Sequence, residues 1–258
     1  MQIPTFEREE NLVREGRLPV GVDEAGRGPL AGPVVAAAVM LRNFPLSISN
    51  CQTEEDKRWK LVRDSKKLSP KQREAAFNFV QEQFFVGIGI IGPETIDRVN
   101  ILQATFLAMK AALADLRRIT KHELRVTEKL VGQYNNATIQ PLNHVAMKPW
   151  YILIDGNQII PNLTHEQEPI VNGDGLVRSI AAASIVAKVT RDRIITEADA
   201  LYPGYGLALH KGYGTAVHMA ALRKLGPSPI HRMSFRPVQL AIPENVNRRF
   251  ANVLKPKK

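Results

Sequence analysis

The sequence predicts an α/β protein in which the strands of a mixed sheet alternate with helices. Its strand-like segments are short, rich in valine, isoleucine and alanine, and bounded by glycine and proline. Between them lie segments with helix-start signals, or with apolar residues at the spacing of a helix face. Of the 258 residues, 44% are hydrophobic and 23% are charged, which is ordinary for a globular protein.

The first two strands are predicted at 19–24 and 33–41. The link between them is rich in glycine and proline, which favour turns. Two apolar segments this close in sequence pair most simply as antiparallel neighbours. Residues 1–18 are charged and are expected to form a short helix at most, and residues 42–60 are expected to form a polar loop.

A helix followed by a third strand is predicted next. The stretch Ser69-Pro70-Lys71-Gln72 combines an N-cap serine, a proline in the first turn and the glutamine of a capping box. The helix is expected to run to about Gln83, and the strand covers 84–91. Gly87 and Gly89 would let another backbone or a ligand approach one face of that strand.

Another helix is predicted to begin at Pro93, and its apolar face is expected to pack in the core. Its apolar residues are spaced three and four apart over about five turns: Val99, Leu102, Phe106, Met109, Leu113 and Leu116. The following residues, 118–148, show no strong period, so they are interpreted as an insertion or excursion rather than a second domain.

Two further strands, two helices and a C-terminal tail are predicted in the rest of the chain. A buried strand is predicted at 150–155 and an edge strand at 169–171. A turn at 172–175 precedes a long helix over 178–201, and a further helix lies near 215–225. The C-terminal residues 248–258 are a basic tail.

Four carboxylates stand at comparable places in this layout. Asp23 and Glu24 end one strand, Asp155 ends another, and Asp174 precedes the long helix. Strand ends and a helix start can converge on one edge of an α/β sheet. Converging carboxylates repel each other, and divalent metal ions relieve that repulsion. Two Mg²⁺ or Mn²⁺ ions about 3.5–4 Å apart would activate a water and stabilise a leaving oxygen in phosphodiester hydrolysis. The alternative is that each acid is only a capping or ion-paired residue.

Charge and cysteine content narrow the class of partner. The 35 Lys and Arg residues outnumber the 25 Asp and Glu residues, so the net charge is +10 and a nucleic acid is the favoured partner. Cys51 is the single cysteine, which excludes an intrachain disulfide. The N-terminus has no apolar signal region and no apolar run spans a bilayer, so we expect a soluble cytoplasmic protein with no membrane partner.

Six blocks of this sequence resemble the ribonuclease HII family, in the family's order, from about residue 19 to 238. They are Gly21–Val35, Asp64–Ser69, Leu153–Asn157, Ser179–Asp192, His210–Tyr213 and His231–Val238. The resemblance implies an RNase H-like fold, with a mixed central sheet flanked by helices and a smaller helical C-terminal region. Residues 1–201 would form the catalytic domain, with an insertion near 119–148, and residues 202–258 would help to bind substrate.

The resemblance also implies a reaction and a set of site residues. The protein would be an endonuclease that cuts the RNA strand of RNA–DNA hybrids and single ribonucleotides within duplex DNA. The two metal ions, Mn²⁺ or Mg²⁺, would be held by Asp23, Glu24, Asp155 and Asp174. The substrate would be bound by Gly26, Arg27 and Gly28 at the ribose 2′-hydroxyl, by Tyr213 at the sugar on the DNA side, and by Lys66 and Lys67 at phosphates.

Each of these substrate-binding assignments has an alternative without a function. Arg27 could form only a surface salt bridge, Tyr213 could be a core tyrosine, and Lys66 and Lys67 could be solvated charges. Two departures from the family pattern stand out: Asn172 replaces a common lysine, and the insertion near 119–148 is unusual. A monomer is expected. Two rival functions are a non-catalytic RNA-binding module and a different two-metal nuclease on the same fold.

Overall fold

A computed structural model describes residues 3–42, 57–134 and 149–242, with the backbone alone for 123–134. Within these ranges one sheet has the strand order β3-β2-β1-β4-β5. β1 pairs antiparallel with β2, and β2 pairs antiparallel with β3, whereas β1–β4 and β4–β5 are parallel. The predicted mixed sheet is therefore confirmed. The strands are β1 Leu18–Ala25, β2 Val34–Leu41, β3 Phe84–Ile91, β4 Trp150–Asp155 and β5 Glu166–Ile170.

Helices lie before, between and after the strands. The α-helices are α1 Glu7–Arg14, α2 Pro70–Gln83, α3 Pro93–Val99, α4 Ile101–Tyr134, α5 Arg178–Leu201, α6 Leu207–His210, α7 Ala216–Leu225 and α8 Arg236–Leu240. Short 3-10 turns cover Lys57–Leu61, Ser65–Lys67 and Gly173–Gly175. None of the described helices is long and apolar enough to cross a membrane.

Local sequence signals explain several of these elements. α2 begins with the predicted capping box, because the Ser69 hydroxyl accepts from the Gln72 backbone and the Gln72 side chain accepts from the Ser69 backbone. The predicted close approach at β3 is also confirmed. A Cβ on Gly87 would lie 2.2 Å from the carbonyl oxygen of Ala112, so α4 packs directly on the strand.

The predicted helix from Pro93 is two helices. Asn100 separates α3 from α4 with a positive φ of 69°, and its side-chain oxygen accepts hydrogen bonds from the N–H groups of Leu102 and Gln103. Asparagine reaches a positive φ more readily than most non-glycine residues, and it caps helices well. The apolar stripe nevertheless packs as predicted: Met109, Leu113 and Leu116, among others, are buried.

The segment 118–148, interpreted as an insertion or excursion, begins as helix. α4 continues without a break to Tyr134. Residues 118–131 contain neither proline nor glycine, and extending an existing helix is much easier than nucleating one. Residues 135–148 lie outside the described residues, as do Cys51, most of the loop at 42–60 and the basic tail at 248–258.

β5 is longer and more polar than the predicted edge strand at 169–171. It begins at Glu166 and pairs only with β4 among the described strands. An edge strand can keep polar residues on both faces, and Pro169 is tolerated there. This is why the apolar pattern revealed only its last residues.

Two buried clusters position the site. The main core lies between the sheet and the helices α4 and α5. A second cluster joins Leu30 and Ala31, after β1, to Ile195 on α5 and to Leu222 and Val238 on the C-terminal helices. The C-terminal segment therefore packs against the loop that follows the first carboxylate pair. The division into regions 1–201 and 202–258 stays a prediction.

Candidate active site

Two parallel strands bring the first carboxylates together. β1 and β4 are neighbours, and their register pairs Val22 with Ile154. The next residues, Asp23 and Asp155, therefore stand side by side at the same edge of the sheet. Asp174 joins them from the 3-10 turn before α5, where its backbone N–H lies 3.4 Å from Oδ1 of Asp155. The structure thus gathers the predicted acids from three separate parts of the chain.

Electrostatics couple these four carboxylates. Burial raises the pKa of Asp23 well above its ordinary value, and repulsion from Glu24 and Asp155 adds to the rise. Burial also raises the pKa of Glu24 and Asp174, and Asp155 again adds repulsion in each case. Asp155 therefore acts on all three of the other acids. Each would hold its charge more readily beside a cation.

The donor chemistry at this edge fits a hard divalent cation. The four side chains offer only carboxylate oxygens, which suit Mg²⁺ and Mn²⁺. A divalent cation bound among them would offset the repulsion that helps to raise the pKa of Asp23 and Asp174. Among the described residues, no three acidic or histidine side chains already stand at the spacing of a formed metal-binding group.

The protein's own cations reach only the rim of the cluster. Lys66 Nζ lies 4.0 Å from Asp174, and Arg27 lies 3.4 Å from Glu24. Lys67 instead pairs with Asp64 at 3.1 Å. Both lysines lower the pKa of Asp174, without overcoming the effects of burial and of Asp155. The structure therefore separates the two lysines: Lys66 faces the acids, and Lys67 is directed towards Asp64.

The glycine turn after Glu24 lies directly beside the acids. Gly26 has a φ of +97°, and a Cβ there would lie 2.1 Å from Nε of Arg191. Only glycine fits this position. At Gly28, a Cβ would meet only the Tyr213 ring at 3.9 Å. The turn is therefore tightly packed behind Gly26 and open beside Gly28.

Two buried arginines hold this turn, and sequence reasoning missed both. Arg232 donates hydrogen bonds to the carbonyl oxygens of Gly26 at 2.6 Å and Arg27 at 2.9 Å, and also to Gly32 and Pro33. Arg191 donates to the carbonyls of Ala31 and Pro33 and, across the loop, to that of Lys211. Burial, together with the neighbouring charge of Arg191, lowers the pKa of Arg232 to about 9. The planar guanidinium can satisfy several carbonyls at once, which lysine cannot do.

Tyr213 completes an open cleft. Its side chain is 45% exposed, and the cations of Lys188 and Arg191 lie 5.9 and 6.0 Å from the ring centre. The interpretation of Tyr213 as a core residue was wrong. The cleft of about 440 Å³ has walls formed by the segment 24–28 and by Lys66, Lys188 and Tyr213. The predicted turn and tyrosine therefore share one cleft beside the acids.

α5 contributes site residues that the sequence interpretation did not assign. Ser184 forms a hydrogen bond that lowers the pKa of Asp23, and its hydroxyl lies 3.0 Å from that of Ser65. Lys188 is one turn further along, and Arg191 follows three residues later. The spacing of four and three puts these residues on one helix face. A polar stripe on an otherwise buried, alanine-rich helix is the signal that could have found them.

Comparison with known proteins agrees with this architecture. The family model described as ribonuclease HII matches residues 20–238. The chain belongs to the ribonuclease HII family. A relative named ribonuclease HII, from Geobacter sulfurreducens, is 43% identical over 240 residues, which are 92% of this chain and 91% of the relative.

Solved structures of ribonucleases H share the fold. The ribonuclease H2 of Pyrococcus horikoshii has a TM-score of 0.52 at 24% identity, covering 90% of this chain and 98% of that one. Bst-RNase HIII in complex with Mn²⁺ has a TM-score of 0.53 at 18% identity, covering 94% and 71% of the two chains. The RNase H-like α/β fold is therefore confirmed.

Membership in the ribonuclease HII family establishes the general activity. The protein is an endoribonuclease of the ribonuclease H type, a hydrolase that acts on the RNA of RNA–DNA hybrids. The family uses divalent cations. A non-catalytic RNA-binding module, one of the two rival functions, is thereby excluded.

Proposed function

We propose that this protein is a Mn²⁺- or Mg²⁺-dependent endonuclease that also cuts at single ribonucleotides within duplex DNA. The observation that supports it most is the shared cleft. Glu24 lines this cleft together with the glycine turn and the exposed Tyr213, so one bound substrate could meet both a carboxylate and the turn. The products would be a 3′-hydroxyl and a 5′-phosphate.

The cutting centre consists of Asp23, Glu24, Asp155 and Asp174. The first three end or lie near the end of neighbouring strands, and Asp174 joins them from the 3-10 turn before α5. Asp155 interacts electrostatically with the other three. When bound there, two divalent cations would activate the attacking water and stabilise the leaving 3′ oxygen. Ser184 keeps Asp23 oriented, because its hydrogen bond stabilises the charged carboxylate.

Gly26, Arg27 and Gly28 are proposed to recognise the ribose 2′-hydroxyl, which distinguishes RNA from DNA. The carbonyls of Gly26 and Arg27 are bound by Arg232, so the turn is rigid before substrate arrives. Among the described residues, no acceptor pairs with the N–H groups of Arg27 and Gly28. Those N–H groups are therefore available to a sugar oxygen, and the open space at Gly28 lets a sugar approach.

Tyr213 is proposed to stack against the sugar on the DNA side of the junction. Its ring lies beside Gly28. When the glycine turn binds the sugar of the ribonucleotide, the sugar of the neighbouring nucleotide would therefore contact the ring. Lys66 and Lys188, at the same cleft, would contact phosphates. Lys67 remains in the proposed binding set as a longer-range positive charge, since it also lowers the pKa of Asp174.

The wider assignments follow from the same arrangement. Residues 1–201 would supply the cutting centre, and residues 202–258 would supply Tyr213 and part of the binding surface. We expect a monomer, because one chain contributes all of the proposed site residues. We also expect the protein to be cytoplasmic. Gel filtration with light scattering would test the oligomeric state: a mass near 28.7 kDa is expected, and a stable dimer would contradict it.

One assay tests the proposed function. The protein is incubated with three duplexes: DNA carrying one ribonucleotide, an RNA–DNA hybrid, and plain DNA, with Mg²⁺ or Mn²⁺ in turn. We expect cleavage of the first two only, and only with a metal ion present. Cleavage of plain DNA would favour the rival two-metal nuclease, and cleavage of the hybrid alone would refute the single-ribonucleotide activity.

Asp155→Asn links that activity to the carboxylates. The amide keeps the shape of the side chain but removes the charge that acts on the other acids, so cleavage should be lost while the fold survives. Glu82→Gln is a matched control, because Glu82 forms an exposed ion pair with Arg58 and should not affect cleavage. Full activity of Asp155→Asn would refute the assignment.

A further inference from the structure

Three histidines that the proposed mechanism does not use form a buried stack behind Tyr213. His210, His218 and His231 are all buried, and His218 is completely enclosed. The rings of His210 and His218 are stacked with centroids 4.4 Å apart, and His231 is 5.2 Å from His218. Imidazoles packed this closely would repel each other if charged, so their neutral forms are favoured.

Backbone groups at both ends of the stack determine where the protons lie. The Ser228 N–H donates to Nδ1 of His231 at 3.0 Å, so the proton of His231 is on Nε2. At the other end, the Tyr213 carbonyl accepts from Nδ1 of His218 at 2.9 Å, so Nε2 of His218 is an acceptor. The two Nε2 atoms are 3.0 Å apart, and these tautomers make a donor meet an acceptor there.

The result is a directional relay, defined as the three hydrogen bonds that run from Ser228 through His231 and His218 to the Tyr213 carbonyl. Protonation of either ring would remove an acceptor and place two donors face to face. Burial lowers the pKa of His231 to about 4, with the neighbouring His218 adding to the effect, and burial also lowers the pKa of His218. Both rings are therefore neutral near pH 7.

His210 holds the chain on the other side of Tyr213. Its Nε2 donates to the Tyr205 carbonyl at 2.9 Å, and its Nδ1 accepts from the Gly212 N–H at 3.3 Å. The backbone between these contacts is unusual, since Lys211 has a φ of 52° and Gly212 a φ of 79°. A non-glycine residue in this conformation persists only where its surroundings hold it.

The same segment is attached to the glycine turn's own loop. The Leu30 N–H donates to the Gly212 carbonyl at 2.8 Å, and a Cβ on Gly212 would lie 2.7 Å from the Ala31 carbonyl oxygen. The backbone of Tyr213 is thus fixed relative to Gly28 from two directions. Tyr213 lines the cleft, where its ring lies beside Gly28.

We propose that His218 and His231 are positioning residues that set the affinity for a ribonucleotide–DNA junction by fixing the backbone of Tyr213 through this relay. The proposal deepens the proposed function and rests on the role given there to Tyr213. Neither histidine touches the substrate. A histidine with only a structural role would affect stability but would not act on substrate binding through Tyr213.

The first test is independent of activity. Long-range ¹H–¹⁵N spectra of the imidazole rings near pH 7, on the complete protein, distinguish the two neutral tautomers. We expect the proton on Nδ1 of His218 and on Nε2 of His231. The opposite tautomer at either ring would overturn the relay, whatever the enzyme cleaves.

The second test measures KM and kcat on a DNA duplex with one ribonucleotide. His218→Leu fills the space but donates nothing to Tyr213, so KM should rise by up to about tenfold, the range of one buried hydrogen bond, with kcat changed less than about twofold. His218→Asn restores a donor at the position of Nδ1 and should recover most of the loss. An Asn variant as impaired as the Leu variant would overturn the proposal.

A double-mutant cycle separates positioning from general damage. In a Tyr213→Ala background, His218→Leu should add less than about a twofold change in KM, because the ring that the relay positions is gone. An undiminished effect in that background would overturn the proposal. Tyr213→Ala that leaves KM unchanged would instead refute the role proposed for Tyr213, and the tautomer measurement would still decide whether the relay exists.

Discussion

Replacing Glu9 by glutamine should remove a loss of folding stability that occurs as the pH rises. Glu9 lies on α1 and is completely buried, where its Oε1 accepts from the Ser179 N–H at 2.8 Å, in the first turn of α5. Its Oε2 has no hydrogen-bond partner among the described residues. Burial raises the pKa of Glu9 to about 7, against opposing contributions from Ser179 and Arg178.

The sign and size of the effect follow from that pKa. The folded state holds a proton on Glu9 more tightly than the unfolded state, whose carboxyl titrates at the ordinary value near 4.5. The free energy of unfolding should therefore fall as the pH rises from about 4.5 to about 7, and stay low above that. At about 1.4 kcal/mol per pH unit, the loss is roughly 3 kcal/mol.

Glu9→Gln keeps an oxygen for the Ser179 N–H and has no charge to bury. Urea unfolding followed by circular dichroism, from pH 5 to pH 8, should show the variant gaining stability relative to the parent as the pH rises. Glu7→Gln is a matched control from the exposed start of the same helix, and it should reproduce the parent's pH dependence. A constant difference between Glu9→Gln and the parent across this range would refute the reasoning.

Three further predictions concern the site. Gly26→Ala should destabilise the protein by several kcal/mol, because its methyl group would overlap Arg191. Gly28→Ala should have the melting temperature of the parent but should discriminate less between ribonucleotide and deoxyribonucleotide. Equal melting temperatures for both variants would contradict this. Arg232→Lys should lower the free energy of unfolding, measured in urea, by about 2 kcal/mol or more, since one ammonium cannot replace hydrogen bonds to four carbonyls. Unchanged stability would refute the role given to Arg232 in holding the glycine turn. Binding of the hybrid duplex, measured by fluorescence anisotropy, should weaken steeply between 50 and 200 mM salt, on the order of tenfold or more, as counterion release requires; a flat response would argue against phosphate contacts by Lys66 and Lys188.

Local signals predicted most of the fold. The capping box of α2, the antiparallel pairing of β1 and β2, and the span of α5 all depend on residues close together in sequence. β5 was found only in part because a polar edge strand has no apolar alternation. The continuation of α4 was missed because a helix can extend through residues without a clear period once it has begun.

The site shows the same contrast. The convergence of Asp23 and Asp155 follows from two parallel strands ending at one edge, so position in the strands was enough to predict it. Arg191 and Arg232 could not be assigned in this way. Their partners are backbone carbonyls up to 206 positions away, and a carbonyl carries no signal in the sequence.

The most direct test of the account is single-turnover cleavage with enzyme in excess over a DNA duplex that contains one ribonucleotide. These conditions separate the cutting step from binding, so they examine the carboxylates alone. With Mn²⁺ or Mg²⁺ the parent should cut at the ribonucleotide, and Asp155→Asn should be slower by about a thousandfold or more, since metal-assisted stabilisation is worth several kcal/mol. A cleavage rate for Asp155→Asn close to that of the parent would contradict the central claim that this carboxylate cluster is the cutting centre.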